Sequence, residues 1–190
     1  MRTFIAVELP EDIKRAIISV QDKLKASGAD VKWVPAQNIH LTLKFLGEID
    51  QDIFEKISLI MEGTAGGTPP FEADIVSVGA FPKISYPRVI WIGIGLGDDK
   101  LQPIVKTLEE KIQELGIPKE ERAFASHITI GRVRSNSGKE KLVETLNKLE
   151  GCFNGERPRF KINKITLFRS YLSPKGPTYE ILKEAILKAA

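Results

Sequence analysis

Asn38-Ile39-His40-Leu41-Thr42-Leu43-Lys44-Phe45-Leu46-Gly47 is repeated at its centre by Ala125-Ser126-His127-Ile128-Thr129-Ile130-Gly131-Arg132. The chain has two histidines, and both stand in the frame His-apolar-Thr-apolar. Nine of the 190 residues are threonine, so chance sets a Thr two places after both histidines in about 1 case in 400–500. Ile, Leu, Thr and Phe suit strands, and no proline interrupts either run. Side chains alternate faces along a strand. His40, Thr42 and Lys44 are therefore expected on one face, with Leu41, Leu43 and Phe45 on the other. In the second copy His127, Thr129 and Gly131 share a face opposite Ile128 and Ile130. The apolar faces anchor a core, and the polar faces look into a cleft or solvent.

A His beside a Thr is a useful half-site. Imidazole exchanges a proton near neutral pH, and a hydroxyl donates a hydrogen bond to an anionic oxygen. Two half-sites facing each other supply one base, one acid and two oxygen-binding donors, a set suited to in-line attack at phosphorus. Lys44, on the expected face of His40, is a candidate phosphate ligand. Arg132 has the wrong parity to join His127 unless a bulge at Gly131 re-aims it, and such a bulge is expected.

The motif belongs to a longer repeat of about 87 residues, the offset from His40 to His127. Arg2–Leu9 corresponds to Arg88–Leu96 and the helical stretch after Pro10 to the one after Asp98. Further on, Asp50–Glu62 corresponds to Ser137–Glu150 and Phe71–Phe81 to Phe160–Ser170. Each half reads strand, helix, His-strand, helix, strand. Two such halves related by a pseudo-two-fold axis set the His-strands across one groove.

MRTFIAVELP at the start, HLTLKFLGE, ASHITIGR and the late SYLSPKGPTYE resemble the 2H phosphoesterase superfamily, and within it the RNA 2′,3′-cyclic phosphodiesterases, also called 2′-5′ RNA ligases. The resemblance covers essentially the whole chain. It implies a bilobal α+β fold, one domain over residues 1–190, with two antiparallel sheets facing a central cleft and helices outside. It implies opening of 2′,3′-cyclic phosphate ends of RNA to 2′-phosphates without a metal or cofactor. Carried over by position, it makes His40 the proton donor and His127 the acceptor, has Thr42 and Thr129 bind phosphate, and places Arg132 near it. The same residues would serve a ligase joining 2′,3′-cyclic and 5′-hydroxyl RNA ends, or an enzyme acting on small cyclic phosphates. A non-catalytic RNA-binding module is the third reading, although it has no need of both histidines and both threonines. Zinc normally takes three or four protein ligands, and no carboxylate sits in either motif.

Composition agrees. The net charge is +3 and the pI about 8.9, which permits RNA binding without demanding it. No apolar run approaches 18 residues, so no membrane contact is expected, and the first strand does not read as a signal peptide. Cys152 stands alone, in keeping with a reducing cytoplasm, and a monomer is expected. Pro10, Glu11 and Asp12 start a helix that Gly28 ends. A second helix is expected from Gln51 to Met61, and a third from Leu101 to Leu115. Val31–Val34 reads as a short strand. Gly63–Pro70 reads as a turn-rich connector. The glycines between Gly93 and Gly97 lack phosphate-loop spacing and are expected to serve close packing. Ser170–Tyr179 is expected to be a hairpin turn, and Ile181–Ala190 a terminal strand. Trp33, Tyr171 and Tyr179 are candidates for stacking on a base, with packing the plainer role.

Overall fold

Arg2–Glu8 (β1) reads RTFIAVE, with Thr3 to Val7 buried in unbroken succession. A strand without alternation is covered on both faces and belongs inside a sheet. A computed structural model describes residues 1–189 and places β1 there, between two antiparallel neighbours. After β1 come α1 (Glu11–Lys25), β2 (Val31–Trp33), a 3-10 turn (Ala36–Asn38), β3 (His40–Glu48), α2 (Gln51–Gly66), β4 (Phe71–Lys83) and β5 (Tyr86–Ile94). The second half continues with α3 (Asp98–Gln113), β6 (His127–Val133), α4 (Lys139–Leu149), β7 (Arg159–Ile162), β8 (Lys164–Tyr171) and β9 (Thr178–Ile186).

The helices follow from their sequences. In α1, Ile13, Ile17, Val20 and Leu24 are buried at helical spacing, while Glu11 and Asp12 in the first turn and Lys23 and Lys25 in the last complement the macrodipole. The Asp50 carboxylate caps α2 by accepting from the Ile53 amide at 2.9 Å. Gly97, at φ 89°, starts α3; a Cβ there would lie 2.8 Å from the Glu72 carbonyl oxygen.

The strands form two antiparallel sheets, β3-β1-β8-β9 and β2-β6-β5-β4-β7, so the α+β class read from the sequence holds. Each His-strand pairs with the strand that opens its own half: β3 with β1, and β6 with β5. The next strand then comes from the other half. β8 flanks β1, and β4 flanks β5. Helix α2 packs on β8, β9 and α3, whereas α4 packs on α1 and β4. Neither half of the sequence completes a sheet alone, and the apolar faces merge into one continuous core. The edge strand β3 lies against β6 of the other sheet, which brings the two motifs together.

Several boundaries differ from expectation. Helix α2 runs on through Gly63 to Gly66, because Met61 and Ala65 are buried one turn apart and Thr64 and Thr68 donate to carbonyls four residues back. Phe160–Ser170 is not one strand. It divides at Asn163, with β7 closing the second sheet and β8 entering the first. The last strand opens at Thr178, earlier than expected, because Thr178 already pairs with Tyr171 across the loop 172–177, and it ends at Ile186; Ala190 lies outside the described residues. Among the described residues no helix is long and apolar enough to cross a membrane.

Candidate active site

The two motifs share a backbone irregularity as well as a sequence. Along β3 the partners of β1 run Ala6↔Thr42 and then Ile5↔Lys44, leaving Leu43 unmatched. Along β6 the partners of β5 run Trp91↔Thr129 and then Ile90↔Gly131, leaving Ile130 unmatched. Both are one-residue bulges at the same place in the motif, and a bulge reverses the parity of the residues beyond it. The residue five after each histidine, Phe45 or Arg132, lines the cleft as a result.

The bulge overturns the expected place of Lys44. Its side chain turns inward, is fully buried, and donates to Glu109 Oε2 at 2.6 Å and to the Pro118 carbonyl at 3.2 Å. A buried ammonium must find such partners, so Lys44 is not among the cleft residues. Phe45, expected to face the core, is instead 57% exposed. The bulge in β6 is held from outside: the Ile130 carbonyl accepts from the Val34 amide at 3.0 Å and from Gln21 Nε2 at 2.8 Å. Gly131 is required by close approach of β2. A Cβ there would lie 2.8 Å from Val31 Cγ1 and 2.9 Å from Trp33 Cε3.

Between the sheets opens a cleft of about 620 Å³. His40, Thr42, Thr129 and Arg132 line it together, with Trp33, Phe45 and Tyr179 as aromatic walls and Arg2 and Lys32 at basic positions. His127 does not line this cavity. It lies two residues along β6 from Thr129, half-buried and edge-on to Phe81 with centroids 5.0 Å apart. Trp33 is half-buried, packs against the core and borders the cleft at once.

The histidines are oriented alike. His40 Nδ1 lies 2.7 Å from the Asn38 carbonyl, and His127 Nδ1 lies 2.6 Å from the Ala125 carbonyl. A carbonyl only accepts, so each Nδ1 carries its hydrogen and each Nε2 is left as the chemically available nitrogen. Their surroundings differ. His40 stacks on Phe4 (4.8 Å, 27° between planes) and meets Tyr179 edge-on at 5.3 Å. Phe4, Ala6 and Phe168 form a small apolar cluster of their own, apart from the main core. Burial among these rings, with a smaller push from the Lys14 charge, lowers the His40 pKa to about 4 against the opposing pull of the Asn38 carbonyl.

Asn38 and Phe4 were not singled out from the sequence. Asn38 is buried, its side-chain amide donates to the Pro177 carbonyl at 2.8 Å, and so the β8–β9 hairpin is tied to the residue that orients His40. A signal was present: Asn38 is a polar residue just ahead of the motif, and Phe4 shares the strand with Ala6, the register partner of Thr42.

A family model described as LigT like Phosphoesterase matches residues 7–91 and again 94–179. The chain is 39% identical to an RNA 2′,3′-cyclic phosphodiesterase of Methanocaldococcus jannaschii, over 97% of this chain and 99% of that protein. It is 33% identical to an RNA 2′,3′-cyclic phosphodiesterase of Methanothermobacter thermautotrophicus, over 94% of this chain and 95% of that one. A crystal structure of a Thermus thermophilus protein superposes with a TM-score of 0.81 at 27% identity, covering 100% of this chain and 99% of that chain.

Proposed function

The chain belongs to the LigT-like phosphoesterase family, and on that premise we propose that it hydrolyses the 2′,3′-cyclic phosphate ends of RNA to 2′-phosphates. The observation that carries this reading is the pair of bulged His-x-Thr strands set against each other, with His40, Thr42, Thr129 and Arg132 on one cleft.

Thr42 and Thr129 donate to the non-bridging oxygens of the cyclic phosphodiester, and Arg132 neutralises its charge. His127 Nε2 takes a proton from water as the water oxygen attacks phosphorus. The P–O3′ bond breaks in line, and His40 Nε2 gives a proton to the leaving O3′. The product carries a 2′-phosphate and a free 3′-hydroxyl, one water is consumed, and proton exchange with solvent resets both imidazoles. Burial, with a smaller push from the Lys14 charge, holds His40 neutral near pH 7. The phosphodiester anion beside it favours the charged imidazolium, so substrate binding and loading of the acid are one event. No metal or cofactor takes part in these steps. We place the enzyme in the cytoplasm, acting as a monomer on RNA.

The test is a short RNA ending in 2′,3′-cyclic phosphate, incubated in EDTA with the wild type, His40→Ala and His127→Ala. The wild type converts the end to a 2′-phosphate. Each variant loses at least about 10²–10⁴-fold in rate while keeping its fold by circular dichroism. Full activity in either variant, or dependence of the wild type on added metal, would sink the paired-histidine mechanism. A 5′-hydroxyl RNA in the same mixture reads out ligation directly.

A further inference from the structure

Two openings lead off the catalytic cleft. A cavity of about 520 Å³ meets it at Phe45 and Gly47, and its other charged walls are Lys119, Glu120, Glu121 and Arg122. Two acids there offset two bases, and Phe45 is its one aromatic residue. The other cavity, about 380 Å³, shares Arg2, Glu48, Ser170 and Leu172 with the cleft and adds Met1, Arg169 and Tyr171. It is continuous with the catalytic cleft along the end of β8.

The second cavity has a different chemistry. Arg169 and Tyr171 stand two apart on β8, with the guanidinium carbon 4.4 Å from the ring centroid. The Tyr171 hydroxyl donates to Glu180 Oε2 at 2.6 Å, which fixes the ring. The ring is still 41% exposed, and Leu172 beside it is 66% exposed. The acids are already engaged: Glu48 pairs with the Met1 amine at 3.1 Å, and Glu180 holds Tyr171. Among the described residues neither Arg2 nor Arg169 makes an ion pair. Two guanidinium groups without carboxylate partners, one of them over a fixed and partly exposed aromatic ring, suit one phosphate and one base of a single strand.

We infer that this cavity is the subsite for the nucleotide preceding the cyclic end. Its linking phosphate lies between Arg2 and Arg169, and its base lies on Tyr171 and Leu172. The inference rests on the cyclic-phosphate reading and deepens it: the substrate is an RNA strand, and a mononucleotide fills only part of the site. The balanced charge of the opening beyond Phe45 makes it the poorer track for a polyanion.

The experiment compares a mononucleoside 2′,3′-cyclic phosphate with a dinucleotide carrying the same end. The wild type favours the dinucleotide by about tenfold in kcat/KM, the lower range of one base stack. Tyr171→Ala erases that preference and leaves mononucleotide turnover within about twofold, whereas Tyr171→Phe keeps it, since the ring face makes the contact. Arg169→Gln lowers dinucleotide turnover and reduces the log–log salt slope by about 0.7, the value for one phosphate contact on a single strand. Arg122→Gln, in the other opening, changes neither substrate. Equal turnover of the two substrates by the wild type overturns the subsite. So does a Tyr171→Ala loss that falls on both substrates alike, or a preference erased by Arg122→Gln. If the wild type hydrolyses neither substrate, the hydrolase reading fails on its own, and binding decides the subsite. Tighter binding of a 2′-phosphorylated dinucleotide than of the mononucleotide, cancelled by Tyr171→Ala, then sustains it, and equal binding removes it.

Discussion

The two motif strands carry the same bulge and use it for opposite ends. After Thr42 the bulge at Leu43 sends Lys44 into the protein and Phe45 into the cleft. After Thr129 the bulge at Ile130 is followed by Gly131, against which β2 packs, and by Arg132 in the cleft. One half-site is aromatic, and its half-buried histidine packs against Phe4 and Tyr179. The other is cationic, and its histidine meets Phe81 in a T-shaped contact. The difference teaches that a duplicated scaffold fixes where side chains emerge, while the fourth and fifth residues after each histidine decide what each side contributes. On the proposed mechanism the phosphodiester uses both, a charged wall for its oxygens and a dry wall for the acid.

The largest effect is expected at Lys44. If its role is the buried pair with Glu109, Lys44→Ala strands a carboxylate that is itself largely covered, and costs about 3–5 kcal/mol of stability in urea unfolding. Lys44→Met combined with Glu109→Leu restores most of that, because replacing both charges removes both desolvation penalties. The stable double variant also keeps its hydrolytic activity. A double variant that folds normally yet loses turnover a hundredfold would place Lys44 on the substrate after all, and the contrast between the strands would collapse.

That residue also marks where the sequence stopped being readable. The His-x-Thr frames, the repeat and the α+β class were legible because they rest on alternation and periodicity, which are local. A bulge in β6 was legible because a glycine stood beside an arginine of the wrong parity, although the extra residue is Ile130, one place before the expected Gly131. Its twin at Leu43 gave no such sign: Leu-Lys-Phe is unremarkable as alternating strand. What forces it is tertiary, since the ammonium finds Glu109 and the Pro118 carbonyl from another part of the chain. The split at Asn163 was hidden for a similar reason. Nothing in a run of strand-forming residues says that its two ends pair in different sheets. The aromatic bed of His40 needed the register of β1 against β3 and β8, which only the assembled sheet supplies.

Arg132 is the next test. Arg132→Gln keeps the length and a hydrogen-bond donor but removes the charge, and kcat is expected to fall about 10²–10³-fold, as for loss of one electrostatic stabiliser of the transition state. Phe45→Ala, at the matching position of the other strand, is expected to act mainly through KM, because an apolar wall binds substrate and transition state alike. Should the two variants shift kcat and KM in the same proportions, the half-sites would be equivalent and the division between a charged and a dry wall would be wrong.

The smallest effect tests the dry wall itself. The folded pKa of His40 lies at about 4, below the ordinary 6.5 of an exposed imidazole. The unfolded chain therefore binds more protons between those values, and stability rises with pH through that window. The contribution is fully present above about pH 6.5 and is lost as pH falls toward 4, on the order of 3 kcal/mol across the whole range. Many carboxylates titrate there too, so the measurement is a difference: urea midpoints of the wild type and His40→Phe, each at pH 7 and pH 4.5. The phenyl ring retains the stacking on Phe4 and has nothing to protonate, so the variant loses less stability on acidification than the wild type does. Nuclear magnetic resonance of the His40 ring gives the functional half of the same prediction. The pKa near 4 moves upward when inorganic phosphate occupies the cleft, since an anion beside a buried imidazole favours its charged form. A His40 that titrates near 6.5 with the cleft empty would mean that water reaches the ring. A sizeable fraction of the acid would then be loaded before the substrate arrives, and burial under Phe4 and Tyr179 would have no part in the chemistry.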